Sequence, residues 1–171
     1  LRANVNVSVK QLGPRFADAV ADVLRRTGFP PALLVLELTE SVFAAESQQL
    51  VEVLHQLREK GVRISIDDFG TGYSSLEQLQ RVPFVELKID RAFVDGASHD
   101  AAARAILESS IDLAKKLGLT TVAEGCEHAD DYALLERLGC DLVQGWLFAP
   151  AMPSEALLPW IESHRHAAMP A

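Results

Sequence analysis

One repeated junction narrows the fold more than any other feature of this chain. Four times an amphipathic segment with a basic last turn meets a glycine and then an aliphatic run: "LRRTGF" at Gly28, "LREKGVRI" at Gly61, "AKKLGLTTV" at Gly118 and "LERLGCDLV" at Gly139. Glycine accepts the left-handed backbone angles that cap a helix, and Lys or Arg before it suits the negative end of the helix dipole. Each junction therefore predicts that a helix ends and a strand begins. The strand candidates are "NVNVSV", "LLVLELT", "RISIDD", "VELKID", "TTVAEG" and "DLVQG". Helices are expected at 13–27, 44–60, 74–81, 100–117, 129–138 and 154–163. That alternation requires parallel strands joined by crossover helices.

A TIM-like (β/α)8 barrel typically takes about 250 residues. Six βα units in 171 residues predict an incomplete barrel of this α/β class that lacks its first two strands. The chain opens on Leu1 and enters "NVNVSV" almost at once, so a longer parent is expected. Hydrophobic content of 49% suffices for a buried core.

Strand phase points to a site. In "LLVLELT" Leu34, Leu36 and Leu38 share one face, while Val35, Glu37 and Thr39 share the other; in "NVNVSV" the valines oppose Asn4, Asn6 and Ser8. Near the C-terminal end of each strand stands a polar group: Asn6, Glu37, Asp67 with Asp68, Lys88, Glu124 and Gln144. One such residue is ordinarily a turn former or helix cap. Six in six units describe a rim, and ligands of parallel α/β folds bind at that end of the strands.

The rim offers hard oxygen donors and no His or Cys, which suits Mg²⁺ or Mn²⁺ and argues against zinc. Adjacent aspartates can serve two metals, the arrangement that clamps the attacking and leaving oxygens of a phosphoryl displacement. Lys88 either orients a water and stabilises developing charge or pairs with a rim carboxylate. Gln144 could bond a base or a phosphate. A net charge of −8 is ill suited to polymeric nucleic acid, and an acidic chain that handles phosphates needs metal ions between. Asp68-Phe69-Gly70 spells a kinase metal motif, yet no glycine-rich loop, strand lysine or HRD-type loop precedes it, so a kinase is excluded.

Cys126 and Cys140 form no CxxC, which predicts reduced thiols and a cytoplasmic location. No apolar run nears the roughly 18–20 residues of a membrane span and no leader opens the chain, so no membrane contact is expected from this segment, even if a parent protein is membrane-anchored. His164 and His166 read as a solvated tail, and His55, His99 and His128 as helix residues or helix starts away from the rim. Arg91 meets either a phosphate or a carboxylate.

The blocks "VNVSVKQL", "LELTES", "IDDFGTGYSSL", "LKIDRAFV", "VAEGCE" and "VQGW" together resemble the EAL domain, a bacterial phosphodiesterase that opens cyclic di-GMP to linear pGpG. The resemblance implies a partial EAL domain over 1–163 and a tail over 164–171. It implies metal ligands at Asn6, Glu37, Asp67, Asp68 and Glu124, with Glu127 close behind, and catalytic parts for Lys88, Glu124 and Asp68. Gln144 and Asn6 would contact the nucleotide. Glu40 would tether a loop containing Phe69, Gly70, Thr71 and Gly72 that links the site to homodimerisation, the two glycines lending it freedom to move. A GGDEF or sensor domain would be expected in the parent.

The family's signature Glu-Ala-Leu strand is absent. Glu155-Ala156-Leu157 in "SEALLPW" opens the last predicted helix and is not that motif. Cys126 and Trp146 are smaller departures. The 171 residues alone are therefore expected to be inactive. The alternative is a non-catalytic cyclic di-GMP receptor or regulatory module, a class that typically loses carboxylates retained here; a magnesium-dependent lyase barrel would leave the quoted blocks unexplained.

Overall fold

A computed structural model of the chain describes residues 1–40, 48–72, 79 and 81–164. Its strands are β1 (Ala3–Asn6), β2 (Leu34–Thr39), β3 (Arg63–Phe69), β4 (Glu86–Ile89), β5 (Thr120–Ala123) and β6 (Leu142–Val143). Among the described residues the α-helices are α1 (Phe16–Thr27), α2 (Gln48–Glu59), α3 (Arg91–Val94), α4 (Ala101–Leu117), α5 (Ala129–Leu138) and α6 (Ser154–His164). The glycine junctions behave as their chemistry requires: Gly28, Gly118 and Gly139 follow α1, α4 and α5 directly with φ of 67°, 71° and 69°.

All neighbouring strands pair in parallel, in the order β1-β2-β3-β4-β5-β6. Every strand therefore ends on the same rim, and the sheet with its helices forms an incomplete TIM-like barrel. Leu36, Leu38, Ile64, Ile66, Leu87 and Ile89 pack in one buried cluster with Leu54 and Leu57 of α2, Leu107 of α4 and Leu135 of α5. Strand alternation sends the intervening residues to the opposite face. There Glu37, Ser65, Asp67, Glu86 and Lys88 are buried although polar or charged.

The structure departs from the sequence pattern in several places. The alternating "NVNVSV" stops being a strand at Asn6, because Ser8 opens a 3-10 turn over Val9–Gln11. Gln11 Oε1 accepts from the Ser8 backbone N–H at 2.9 Å, and this reciprocal cap outweighs the apolar alternation. Asp90 caps α3, which no long period announces, by accepting from the Ala92 N–H at 2.8 Å. Residues 44–47 of one expected helix, most of the helix expected at 74–81, and His166 lie outside the described residues. No helix among the described residues is long and apolar enough to cross a membrane.

The segment after α3 is pinned by Asp131, only 1% exposed on α5. Its Oδ2 accepts from the Gly96 N–H at 3.0 Å and its Oδ1 from the Ser98 N–H at 2.8 Å. Burial pushes the Asp131 carboxyl up, but the hydrogen bonds from Ser98 and Gly96 outweigh it and hold the group below its ordinary 3.8. Its folded value thus lies below the unfolded one, so its stabilisation is present above pH 3.8 and is lost as pH falls through the folded value. Asp131→Asn is expected to cost about 1–3 kcal/mol at pH 7 in urea unfolding. The gap should close in acid; a gap that stays constant down to pH 3 would refute this origin.

Candidate metal centre

Successive strands deliver one charged group each to the rim, and they meet at Lys88. Its Nζ lies 2.8 Å from Glu37 Oε1 of β2, 2.9 Å from Asp67 Oδ1 of β3 and 2.6 Å from Glu124 Oε1 just beyond β5. The Lys88 side chain is 6% exposed. Burial alone would pull its ammonium down, but hydrogen bonds to Glu124, Glu37 and Asp67 more than offset that and keep it above an ordinary lysine. Glu124 is pushed above its ordinary 4.5 mainly by burial; Lys88 opposes this, while Asp67 and Glu37 add to it.

Asp67 and Asp68 are neighbours on a strand, so simple alternation would point them to opposite faces. The β3–β4 register shifts between Ile66 and Phe69, and Asp68 adopts φ 55°, a left-handed conformation that Asp tolerates better than most residues. A bulge of this kind re-aims a side chain. As a result one carboxylate oxygen each of Asp67, Asp68 and Glu124 lie within 4.8 Å of one another. Burial first, then Asp67 and Asp90, raise the Asp68 carboxyl above its ordinary value, with Lys88 opposing. An all-oxygen cluster fits a hard divalent cation such as Mg²⁺, Mn²⁺ or Ca²⁺.

The remaining expected site residues stand around this cluster in distinct ways. Glu37 is outside the three-carboxylate group and is held by Lys88 and by Asn4, whose Nδ2 donates to Glu37 Oε1 at 2.8 Å. Asn6 pairs in register with Glu37 and its residue is exposed. The alternation puts Asn4 on the same face as Asn6, but it stands short of the strand end and so is not among the expected site residues. Gln144 Nε2 donates to Glu124 Oε1 at 2.5 Å. Glu127 pairs with Arg91 at 2.9 Å, and Glu155 lies in the first turn of α6.

Glu40 Oε2 accepts from the backbone N–H groups of Gly70 at 3.1 Å and Gly72 at 2.9 Å. Thr71 Oγ1 donates to the Asp68 carbonyl at 2.8 Å. Gly70 has φ 99°, and a Cβ there would fall 2.8 Å from the Phe93 ring. In this described part of the loop Gly70 serves left-handed geometry and close approach, Gly72 close approach to Glu40 alone, and both N–H groups are occupied. Phe69 remains on β3, opposite Ile89; residues 73–75 of the loop lie outside the described residues.

The EAL domain family matches residues 1–151. Over 161 residues, 91% of it, the chain is 43% identical to the bifunctional diguanylate cyclase/cyclic di-GMP phosphodiesterase MucR of Pseudomonas aeruginosa, of which it covers 24%. It is 40% identical to the cyclic di-GMP phosphodiesterase NbdA of the same organism, with 99% of this chain and 22% of NbdA covered. The chain thus spans about a quarter of the length of these curated relatives. The solved MucR phosphodiesterase with cyclic di-GMP superposes with TM-score 0.86 over 91% of this chain and 64% of that one. Klebsiella pneumoniae BlrP1, solved with manganese and with calcium in complexes with cyclic di-GMP, is 32% identical over 87% of this chain and 38% of its own, with TM-scores of 0.81 and 0.80.

Removing the central cation should expose how much of this arrangement it holds. Lys88→Met leaves Glu37, Asp67 and Glu124 facing one another and is expected to cost about 3–5 kcal/mol at pH 7 in EDTA. A carboxyl whose folded value exceeds its unfolded one loses its stabilising contribution as pH rises through the folded value. With Glu124 already raised above 4.5, the deficit should shrink as the pH is lowered from 7 toward 4.5. Urea unfolding across that window would check this, and a deficit independent of pH would contradict it.

Proposed function

The chain belongs to the EAL domain family, and from that premise we propose that the whole protein hydrolyses cyclic di-GMP to linear pGpG with Mg²⁺ or Mn²⁺. The convergence of Asp67, Asp68 and Glu124 oxygens beside the Lys88 ammonium carries this reading. The relatives named above support it, through their phosphodiesterase names and their complexes with cyclic di-GMP.

In this reading Asp67, Asp68 and Glu124, with Glu37 and Asn6, hold the ions. Two divalent ions bound at such a site supply charge neutralisation at the phosphate and a more acidic water. Lys88 stays charged, orients the attacking water and donates to phosphoryl oxygens as their charge grows. Water oxygen bonds to phosphorus, the P–O3′ bond breaks, and the 3′ oxygen leaves with a proton, giving a linear product with a 5′ phosphate. Gln144 holds Glu124 in place and contacts the nucleotide. Glu40 fixes the start of the loop that couples the site to a homodimer. The reading extends to a cytoplasmic domain and to a GGDEF or sensor domain elsewhere in the protein, in keeping with the paired activities in the name of MucR. It also holds that the 171 residues alone are inactive, since their single Glu-Ala-Leu triplet sits on α6.

The whole protein with Mn²⁺ is expected to convert cyclic di-GMP to pGpG, followed by chromatography. Asp67→Asn should reduce the rate by at least about a hundredfold, beyond the effect of losing an outer-shell partner. Binding without turnover would transfer the protein to the receptor alternative, and turnover undiminished by EDTA would overturn the metal assignment.

A further inference from the structure

Glu37 stands outside the group formed by Asp67, Asp68 and Glu124, and its two carboxylate oxygens have different surroundings. Oε1 faces the Lys88 ammonium at 2.8 Å and accepts from the Asn4 amide Nδ2 at 2.8 Å. An oxygen with two lone pairs is filled by two donors. Oε2 takes no hydrogen bond from the described residues, yet it is not sealed in the core: Glu86 Oε1 is the only described side-chain atom that is both buried and unpartnered. Glu37, a residue only 6% exposed, therefore has one committed oxygen and one open to a ligand.

Asn4 reaches this carboxylate from the neighbouring strand. In the described sheet β1 is an end strand that pairs with β2 alone, Asn4 opposite Val35 and Asn6 opposite Glu37. Asn4 is itself exposed, so water could satisfy its amide; it donates to a buried carboxylate instead. An amide donor adds no charge. Unlike Lys88, Asn4 fixes Glu37 without neutralising it, and the carboxylate keeps its attraction for a cation. Fixing a ligand before the cation arrives also removes the entropy cost of ordering it on binding. We propose that Asn4 is a positioning residue for the cation site: by holding Oε1 of Glu37 against Lys88, it leaves Oε2 as a pre-set ligand atom for a divalent ion. The inference rests on the metal-dependent reading above and adds to it a residue two places before Asn6, one that acts through Glu37 and not on the ion itself.

Calorimetric titration of the whole protein with Mn²⁺, with no nucleotide present, tests this through a double-mutant cycle. Asn4→Leu and Asn4→Ala are each expected to weaken Mn²⁺ binding about ten- to a hundredfold, the usual effect of losing an outer-shell partner. Asn4→Gln, which keeps an amide donor, should retain most of the affinity. In a Glu37→Ala background Asn4→Leu should weaken binding no further, because the residue it acts through is already gone. With cyclic di-GMP added, saturating Mn²⁺ should restore kcat in Asn4→Leu, so that the defect lies in the half-saturating Mn²⁺ concentration. Unchanged Mn²⁺ affinity in Asn4→Leu, or an equal loss with and without Glu37, would overturn the positioning role and leave the metal reading standing. Failure of the wild type to bind Mn²⁺ would overturn the metal reading and the positioning role together.

Discussion

The rim depends on one buried cation. Glu37, Asp67 and Glu124 come from three different strands, and without Lys88 among them their mutual repulsion would add to the penalty of leaving water. Lys88 reaches all three at 2.6–2.9 Å only because β2, β3, β4 and β5 lie side by side in parallel and end at one level. The register Asn6 to Glu37 on β1 and β2, and Lys88 to Val122 on β4 and β5, sets those heights. The apolar faces of the same strands, packed against α2, α4 and α5, keep the strands in that order. Stability and chemistry are therefore carried by alternate residues of the same short strands.

A regular sheet would not have produced the cluster. With strict alternation Asp68 would face the helices when Asp67 faces the rim. The slip after Ile66 and the left-handed turn at Asp68 place both carboxylates beside Glu124. Non-glycine residues held at positive φ cost energy and persist where surrounding contacts over-determine them. Here Thr71 closes on the Asp68 carbonyl, and Glu40 takes the next free N–H groups at Gly70 and Gly72. The start of the loop that follows Asp67 and Asp68 is thereby tied to Glu40 at the end of β2, a direct physical link between that strand and the carboxylate cluster.

Much of this was legible in the sequence because it rests on local chemistry. The basic turn followed by Gly28, Gly118 or Gly139 has one economical interpretation, and period-two phase in "LLVLELT" and "RISIDD" separates core positions from Glu37 and Asp67. What the pattern missed depends on contacts distant in the chain or on caps that compete with it. Asn4 and Asn6 are equivalent by alternation, and only the placement of β1 against β2 brings Asn4 to Glu37. The Ser8 and Gln11 cap ends β1 although the valines continue to alternate. The pairing of Glu127 with Arg91, and of Arg91 with Trp146, joins the first residue of α3 to two loops, positions that the sequence keeps 36 and 19 residues apart.

We propose that the carboxylates at the ends of β3 and β5 form a divalent-cation site built around Lys88. Anomalous scattering from a crystal of the protein soaked in Mn²⁺ tests it most directly. Density for manganese is expected among the oxygens of Asp67, Asp68 and Glu124. Manganese found elsewhere, with those oxygens unligated at saturating Mn²⁺, would contradict it.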